Sequence, residues 1–418
     1  MPLLGFALKA GAVLIRSVRG IVWRRFVTLE SIKRVLSVTL SVAIAHLLDC
    51  DDKWWVAISA FMVMRSGWSD SVQRGVHRVV GTVCGALLGY WIAPWAAGHP
   101  LGFVVVLCVA TWAGMFASLI FSYGYGWTLM TVTFVMIFFE GFRNTTALSH
   151  FAISRVVDVV VGTLTCVVVA AVFDPEVRDF IHRARGRSTV SPAATSAAVS
   201  ATADFVIADS AAADFATTPS AANFETSSSA TQKTDQRVLS PQYAAGALLA
   251  SEAAIAVVVL SLLSIYLRLS IFPQAMVSVI AVLIVPLQAV RDAITSAVTT
   301  RMMHRFLGCL LAGLLAFALL HIAGPYPWWS LVMLAGGVWL GSYLQTGPVK
   351  TSYIGTQFTV AFIMVFVQDH PWASDLALAF ERLMGIITGI AVLALVMGIA
   401  RLSGRCLRHR YAYSSKWM

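Results

Sequence analysis

The chain has 418 residues, of which 58% are hydrophobic and only 12% charged. A soluble domain carries about a quarter charged residues, so this composition excludes one and requires a bilayer as solvent. The net charge of +10 sits at the ends of apolar segments, as in cytoplasmic loops, which argues against nucleic acid as a partner.

The predicted elements run as follows. Residues 1–29 are apolar but interrupted by Lys9, Arg16, Arg19, Arg24 and Arg25. They read as an amphipathic helix on the cytoplasmic face, with no cleavable signal peptide expected. A first membrane block, 30–175, holds apolar segments near 35–48, 54–64, 79–97, 101–121, 125–140 and 156–173. No alternation of barrel type occurs, so helices are predicted. Residues 176–243 form a linker rich in Ala, Ser and Thr, without a sustained apolar face. A second block, 244–400, holds segments near 244–267, 273–290, 306–323, 328–345, 352–368 and 383–400, and 401–418 is a basic tail. Lys and Arg gather before the first segment, after the second, around the linker and in the tail, which places both termini and the linker in the cytoplasm.

The two blocks share a sequence pattern. Arg74-Gly-Val-His77-Arg78-Val-Val-Gly81 recurs 227 residues on as Arg301-Met-Met-His304-Arg305-Phe-Leu-Gly308. The same offset carries Trp112 and Gly114 onto Trp339 and Gly341, Arg155 onto Arg382, and Gly162 onto Gly389. With one gap, TVTFVMIFFE lies over TVAFIMVFVQ. The expected fold is therefore an all-α polytopic membrane protein of two parallel six-segment repeats joined by a cytoplasmic linker. Ligand paths in such proteins tend to run between the halves.

Four features are candidates for chemistry. The second segment of each half is short or bracketed by proline, as in WWVAISAFMVM and in PQAMVSVIAVLIVP between Pro273 and Pro286. Broken spans at matching positions point to a transport site, and their free N–H groups suit an anion. Alternatively both spans extend into Arg65–Trp68 and Leu287–Val290. The Arg74/His77/Arg78 and Arg301/His304/Arg305 groups each fall within about one helical turn. They either attract carboxylates or anchor the span by snorkelling to headgroups. Arg155 and Asp158 lie one turn apart, whereas the second half has Arg382 beside Glu381 and Gly385 in place of the acid. Asp158, with Arg155, Arg382 and Glu381 near it in register, is a candidate proton carrier, or Asp158 forms a structural pair with Arg155. Trp112 and Trp339 either stack an aromatic substrate or pack against their neighbouring glycines.

The six cysteines form no CxxC pair, so neither disulfides nor a metal site is expected. Walker A, GxSxG and HExxH patterns are lacking, so no enzyme, ATP-driven pump or cofactor is expected.

From Arg74 to Gly85 the chain reads R-x-x-H-R-x-x-G-T-x-x-G. There, in the short WWVAISAFMVM span and in the second apolar block, it resembles the fusaric acid resistance and aromatic acid exporter family of bacterial inner-membrane proteins. The resemblance implies proton-driven efflux of aromatic carboxylic acids, and a periplasmic adaptor protein as partner. The short, low-complexity insert departs from the large cytoplasmic domain of many members. Plant malate-type anion channels are distantly similar. The expected function is a secondary exporter of small organic anions, with an anion channel or a membrane scaffold protein as alternatives.

Overall fold

A computed structural model describes residues 25–96, 98–175, 177, 239–267, 271–284, 287–323, 327–346, 349–368 and 376–414. Most of the expected N-terminal amphipathic segment and most of the linker lie outside them, and residues 25–29 of that segment open the first helix. The described residues form twelve helices and no strand. The first half comprises α1 (Arg25–Leu47), α2 (Lys53–Val63), α3 (Trp68–Ala96), α4 (Pro100–Ile120), α5 (Gly124–Arg143) and α6 (Leu148–Phe173). The second comprises α7 (Leu239–Tyr266), α8 (Phe272–Leu283), α9 (Leu287–Ala323), α10 (Pro327–Gln345), α11 (Val349–Phe366) and α12 (Leu376–Ser414).

Among the described residues, seven helices (α3, α4, α5, α6, α7, α9 and α12) are long and apolar enough to cross a membrane. Their apolar residues face both ways. Phe103, Phe138, Phe272 and Phe362 are fully buried inside the bundle, while Leu87, Val105, Leu164, Val168 and Leu314 stand exposed on its outside. A helix that is apolar all round is stable only where its outer face meets lipid.

The two short second helices are real breaks. Helix α2 has 11 residues and α8 has 12, about 16 to 18 Å at 1.5 Å per residue, against a hydrocarbon core of about 30 Å. The reading in which they continue as helix does not hold. Met64 is extended (ψ 122°), α8 stops at Leu283 and α9 starts afresh at Leu287. Pro286 lies outside the described residues.

Helix α2 packs along the central part of α6. It begins level with Arg155, through Asp52, and ends among Cys166, Val169 and Ala170. The extended stretch then carries the chain to Trp68, whose backbone N–H donates to Asp174 Oδ2 at 3.0 Å, just past the end of α6. The Ser66-Gly67 pair ends the extended stretch and starts α3, where Ser71 Oγ donates to the Gly67 carbonyl at 2.9 Å. Asp70 in the first turn suits the positive end of the helix dipole.

Both α3 and α9 begin well before their apolar segments, so the R-x-x-H-R groups lie inside helices and do not open them. Helix α12 likewise continues through the basic residues to Ser414.

Corresponding helices pack alike. Helix α3 lies on α5 as α9 lies on α11, α4 on α5 as α10 on α11, and α2 on α6 as α8 on α12. The close approaches recur too. A side chain on Gly81 would strike the carbonyl of Gly126, and one on Gly308 that of Ile354. Gly162 abuts the Val56 carbonyl and Gly389 the Ala275 carbonyl. Between the halves the contacts are reciprocal: α1 packs on α10 of the second half, and α7 packs on α4 of the first.

The close approaches give a direct stability test. Gly162→Ala is expected to cost about 1–3 kcal/mol, because its Cβ meets backbone that cannot yield. Gly398→Ala, with open space around it, is expected to be neutral or to stabilise by up to about 1 kcal/mol. Thermal unfolding in detergent measures both.

Candidate functional site

The predicted site residues fall at two levels, at opposite ends of the bundle. At one end the motif arginines are buried and turned inward. Arg74, Arg78 and Arg305 are 6%, 2% and 2% exposed, so they do not snorkel to headgroups. Arg74 Nε donates to the Met62 carbonyl at 2.8 Å, and its guanidinium lies 3.9 Å from the Tyr125 ring centroid. Arg78 Nη1 donates to Tyr125 Oη at 2.9 Å.

The second half repeats the arrangement with different atoms. Arg301 stands over the Tyr353 ring at 5.1 Å, and Tyr353 Oη donates to the Ala281 carbonyl at 3.2 Å. Arg305 Nη2 donates to Ser278 Oγ at 3.1 Å, and its Nη1 bonds Gln357 Oε1. In both halves these groups meet the C-terminal end of a short helix. Its last carbonyls lack intrahelical partners and carry the negative end of the dipole. The histidines stand aside: His77 and His304 are half-buried, and His77 packs on Tyr123 at 5.2 Å.

At the opposite end a cavity of about 270 Å³ lies between the halves. The first half supplies Asp52, Trp54, Phe139, Glu140, Arg143, Phe151 and Arg155, and the second supplies Phe272, Pro273, Gln274, Glu381 and Arg382. The first turns of α2 and α8 thus both open onto it, bringing two positive dipole ends to one space. The Trp54 and Trp55 rings, 4.7 Å apart, are flanked by a buried guanidinium on either side. Arg155 is 4.9 Å from Trp55 and 5.0 Å from Phe151, and Arg382 is 5.2 Å from Trp54. Phe139 and Phe272 stack across the seam at 3.9 Å.

The two arginines are held differently. Arg382 Nη1 donates to the carbonyls of Met364 and Val367 at 2.7 and 2.8 Å, capping the end of α11. Arg155 Nη2 pairs with Asp52 Oδ2 at 2.6 Å. Its Nε and Nη1 are buried and find no hydrogen-bond partner among the described residues, and neither does Gln274 Oε1. A buried guanidinium with two unsatisfied nitrogens is expensive, and it is a prepared place for a carboxylate.

Arg155, Glu381 and Arg382, predicted from different halves, are therefore brought together. Asp158 is 1% exposed and lies one turn deeper on α6. Its carboxylate adds to the effect of burial in pushing up the Cys50 thiol, which places it beside the loop before α2. Trp112 and Trp339 are not at the cavity. Trp112 stacks on Phe116 and donates through Nε1 to Ser251 Oγ of α7 at 3.1 Å, and Trp339 stacks on Tyr343.

Sequence reasoning missed three residues. Asp52 lies in the polar run Asp49-Cys50-Asp51-Asp52 and reads as loop. Gln274 is an ordinary amide in an apolar segment. Glu252 is a lone acid in α7, 6% exposed, whose Oε2 has no partner among the described residues. An acid within a span is a signal that could have found it.

Residues 40–170 match the family model described as fusaric acid resistance protein-like. The matched stretch lies within the first half. No curated protein matches the chain, and no solved structure does. The matched residues take in the broken helix α2, the arginines of α3, Asp52 and Arg155 of the cavity wall, and Asp158 one turn deeper. Glu381 and Arg382 come from outside it, in the second half.

Arg74→Ala is expected to lower stability by about 2–3 kcal/mol, since it removes a charged hydrogen bond and bares the buried end of α2. Hydrogen exchange of the Ala60–Met64 amides should rise with it, while amides of α4 stay protected.

Proposed function

We propose that this multi-pass membrane protein is a secondary transporter. It carries small organic anions, aromatic carboxylates foremost, out of the cytoplasm along the seam between its halves. The observation that carries this reading is the cavity between the halves. It combines an incompletely paired buried guanidinium, a second arginine, two helix N-termini and stacked aromatic walls. Carboxylate and ring are the two parts of an aromatic acid that these groups recognise.

On this reading the Arg74 end lies at the cytoplasmic face of a bacterial inner membrane, with termini and linker inside, an orientation that the Lys and Arg distribution supports. The cavity then faces outward. Six segments per half give two parallel copies, and the matched packing and reciprocal seam contacts support that duplication. On this account the motif arginines hold the broken helices shut at the cytoplasmic end, and anion reaches the cavity when they part. Asp158, buried beneath Arg155, carries the proton.

Proteoliposomes test the reading. An imposed proton gradient should drive accumulation of labelled 4-hydroxybenzoate. Arg155→Gln should cut transport at least about tenfold. Asp158→Asn should abolish gradient-driven accumulation yet leave exchange of internal for external substrate. Wild-type protein that moves no aromatic carboxylate under either regime would overturn the proposal.

A further inference from the structure

The charges lining the cavity balance. Arg143, Arg155 and Arg382 face Asp52, Glu140 and Glu381, so the empty space has no net charge with which to attract an anion. Its most prepared group, Arg155, is also partly occupied, because Asp52 holds one of its nitrogens at 2.6 Å. An anion can take that guanidinium fully only if a carboxylate of the protein gives way.

Resting on the transport reading above, we propose that Asp52 is an internal stand-in for the substrate carboxylate. It occupies Arg155 when the cavity is empty and exchanges with the anion on binding. Three features of Asp52 suit it to this. It is the least buried part of the pair, with its side chain 26% exposed against 4% for Arg155. It stands at a loop–helix junction, after a tight turn in which Asp49 takes a left-handed φ of 50°.

Third, it has another partner waiting. Asp52 stands at the N-cap position of α2, where aspartate is among the preferred residues, yet its side chain makes no capping hydrogen bond. Its oxygens go instead to Arg155 and to Trp54 Nε1, the latter at 3.2 Å. A carboxylate leaving Arg155 can therefore turn to the Trp54 backbone N–H in the first turn of its own helix, the place an N-cap side chain bonds. One carboxylate has two alternative partners, and the substrate decides between them.

The device exists on one side only. Gly162 seats on the Val56 carbonyl and Gly389 on that of Ala275, so the place of Asp52 in the second half falls at Ile271, the N-cap residue of α8. Among the described residues Arg382 donates there to two backbone carbonyls. The halves thus divide the work: Arg382 is a fixed wall and Arg155 an exchangeable contact.

Equilibrium binding of benzoate to the purified full-length protein tests this, read by quenching of tryptophan fluorescence and by displacement of labelled benzoate. Asp52→Asn removes the competing charge, and asparagine still caps a helix. It is expected to bind benzoate at least about tenfold more tightly than wild type. Asp52→Glu, which keeps a carboxylate, should remain within about threefold of wild type by the same reasoning. Asp51→Asn serves as the control. That side chain is 51% exposed and pairs with His150 at the surface, so its affinity should be unchanged. Equal or weaker benzoate binding by Asp52→Asn, with wild type and Asp51→Asn binding alike, overturns the exchange while leaving the transport reading standing. Absence of binding by wild type and every variant brings down that reading, and this inference with it.

Discussion

A guanidinium inside a bilayer-spanning bundle has no water to fall back on, so each of its nitrogens must be met by the protein or by a ligand. That constraint organises this molecule. Five arginines of the two halves, Arg74, Arg78, Arg155, Arg305 and Arg382, are at most 6% exposed. Four of them bond backbone carbonyls, tyrosine or polar side chains, with one nitrogen each of Arg78 and Arg305 left without a hydrogen-bond partner among the described residues, against two of Arg155. The broken second helices make this feasible. Stopping a helix after 11 or 12 residues leaves unpaired carbonyls at one end and N–H groups at the other. The carbonyl ends receive the motif arginines and Tyr353, and the N–H ends open onto the cavity. Arg155 is the arginine whose needs the protein meets least, and it lies where the halves meet.

The duplicated pattern also explains why the site is lopsided. The residues that fix the backbone approaches recur in both halves, as Gly162 and Gly389 do. The acids beside Arg155 do not: Asp52 at the cavity and Asp158 one turn deeper stand against Ile271 and Gly385. Packing tolerates little change where backbones touch, whereas the lining of a cavity is free to differ. A matched frame with an asymmetric lining is what the proposed exchange at Arg155 requires.

Much of the frame was legible in the sequence. Hydropathy alone places twelve segments, and each corresponds to a helix, because lipid forces every span to be apolar and to satisfy its backbone internally. Segment ends were less legible. Polar stretches such as Trp68–Gln73 join the helices that follow, and the break after Leu283 divides a run that reads as continuous. The recurring arginines were legible as a pattern but not in their contacts. Arg74 reaches back to Met62 and Arg78 reaches Tyr125, pairings that a local motif does not contain. Arg155 and Asp52 are 103 positions apart, and the cavity needs residues from both halves, so only tertiary structure reveals the pair. Trp112 and Trp339 recur in sequence, yet Trp112 serves the seam with α7 and Trp339 stacks on Tyr343.

The account stands or falls on where the anion sits. A structure with bound 4-bromobenzoate, located by the bromine signal, decides it. The predicted result is a single molecule in the cavity, its carboxylate on Arg155 with Asp52 turned away and its ring beside Phe139 and Phe272. A molecule seated instead at the Arg74–Tyr125 end, with the cavity empty, would contradict the account.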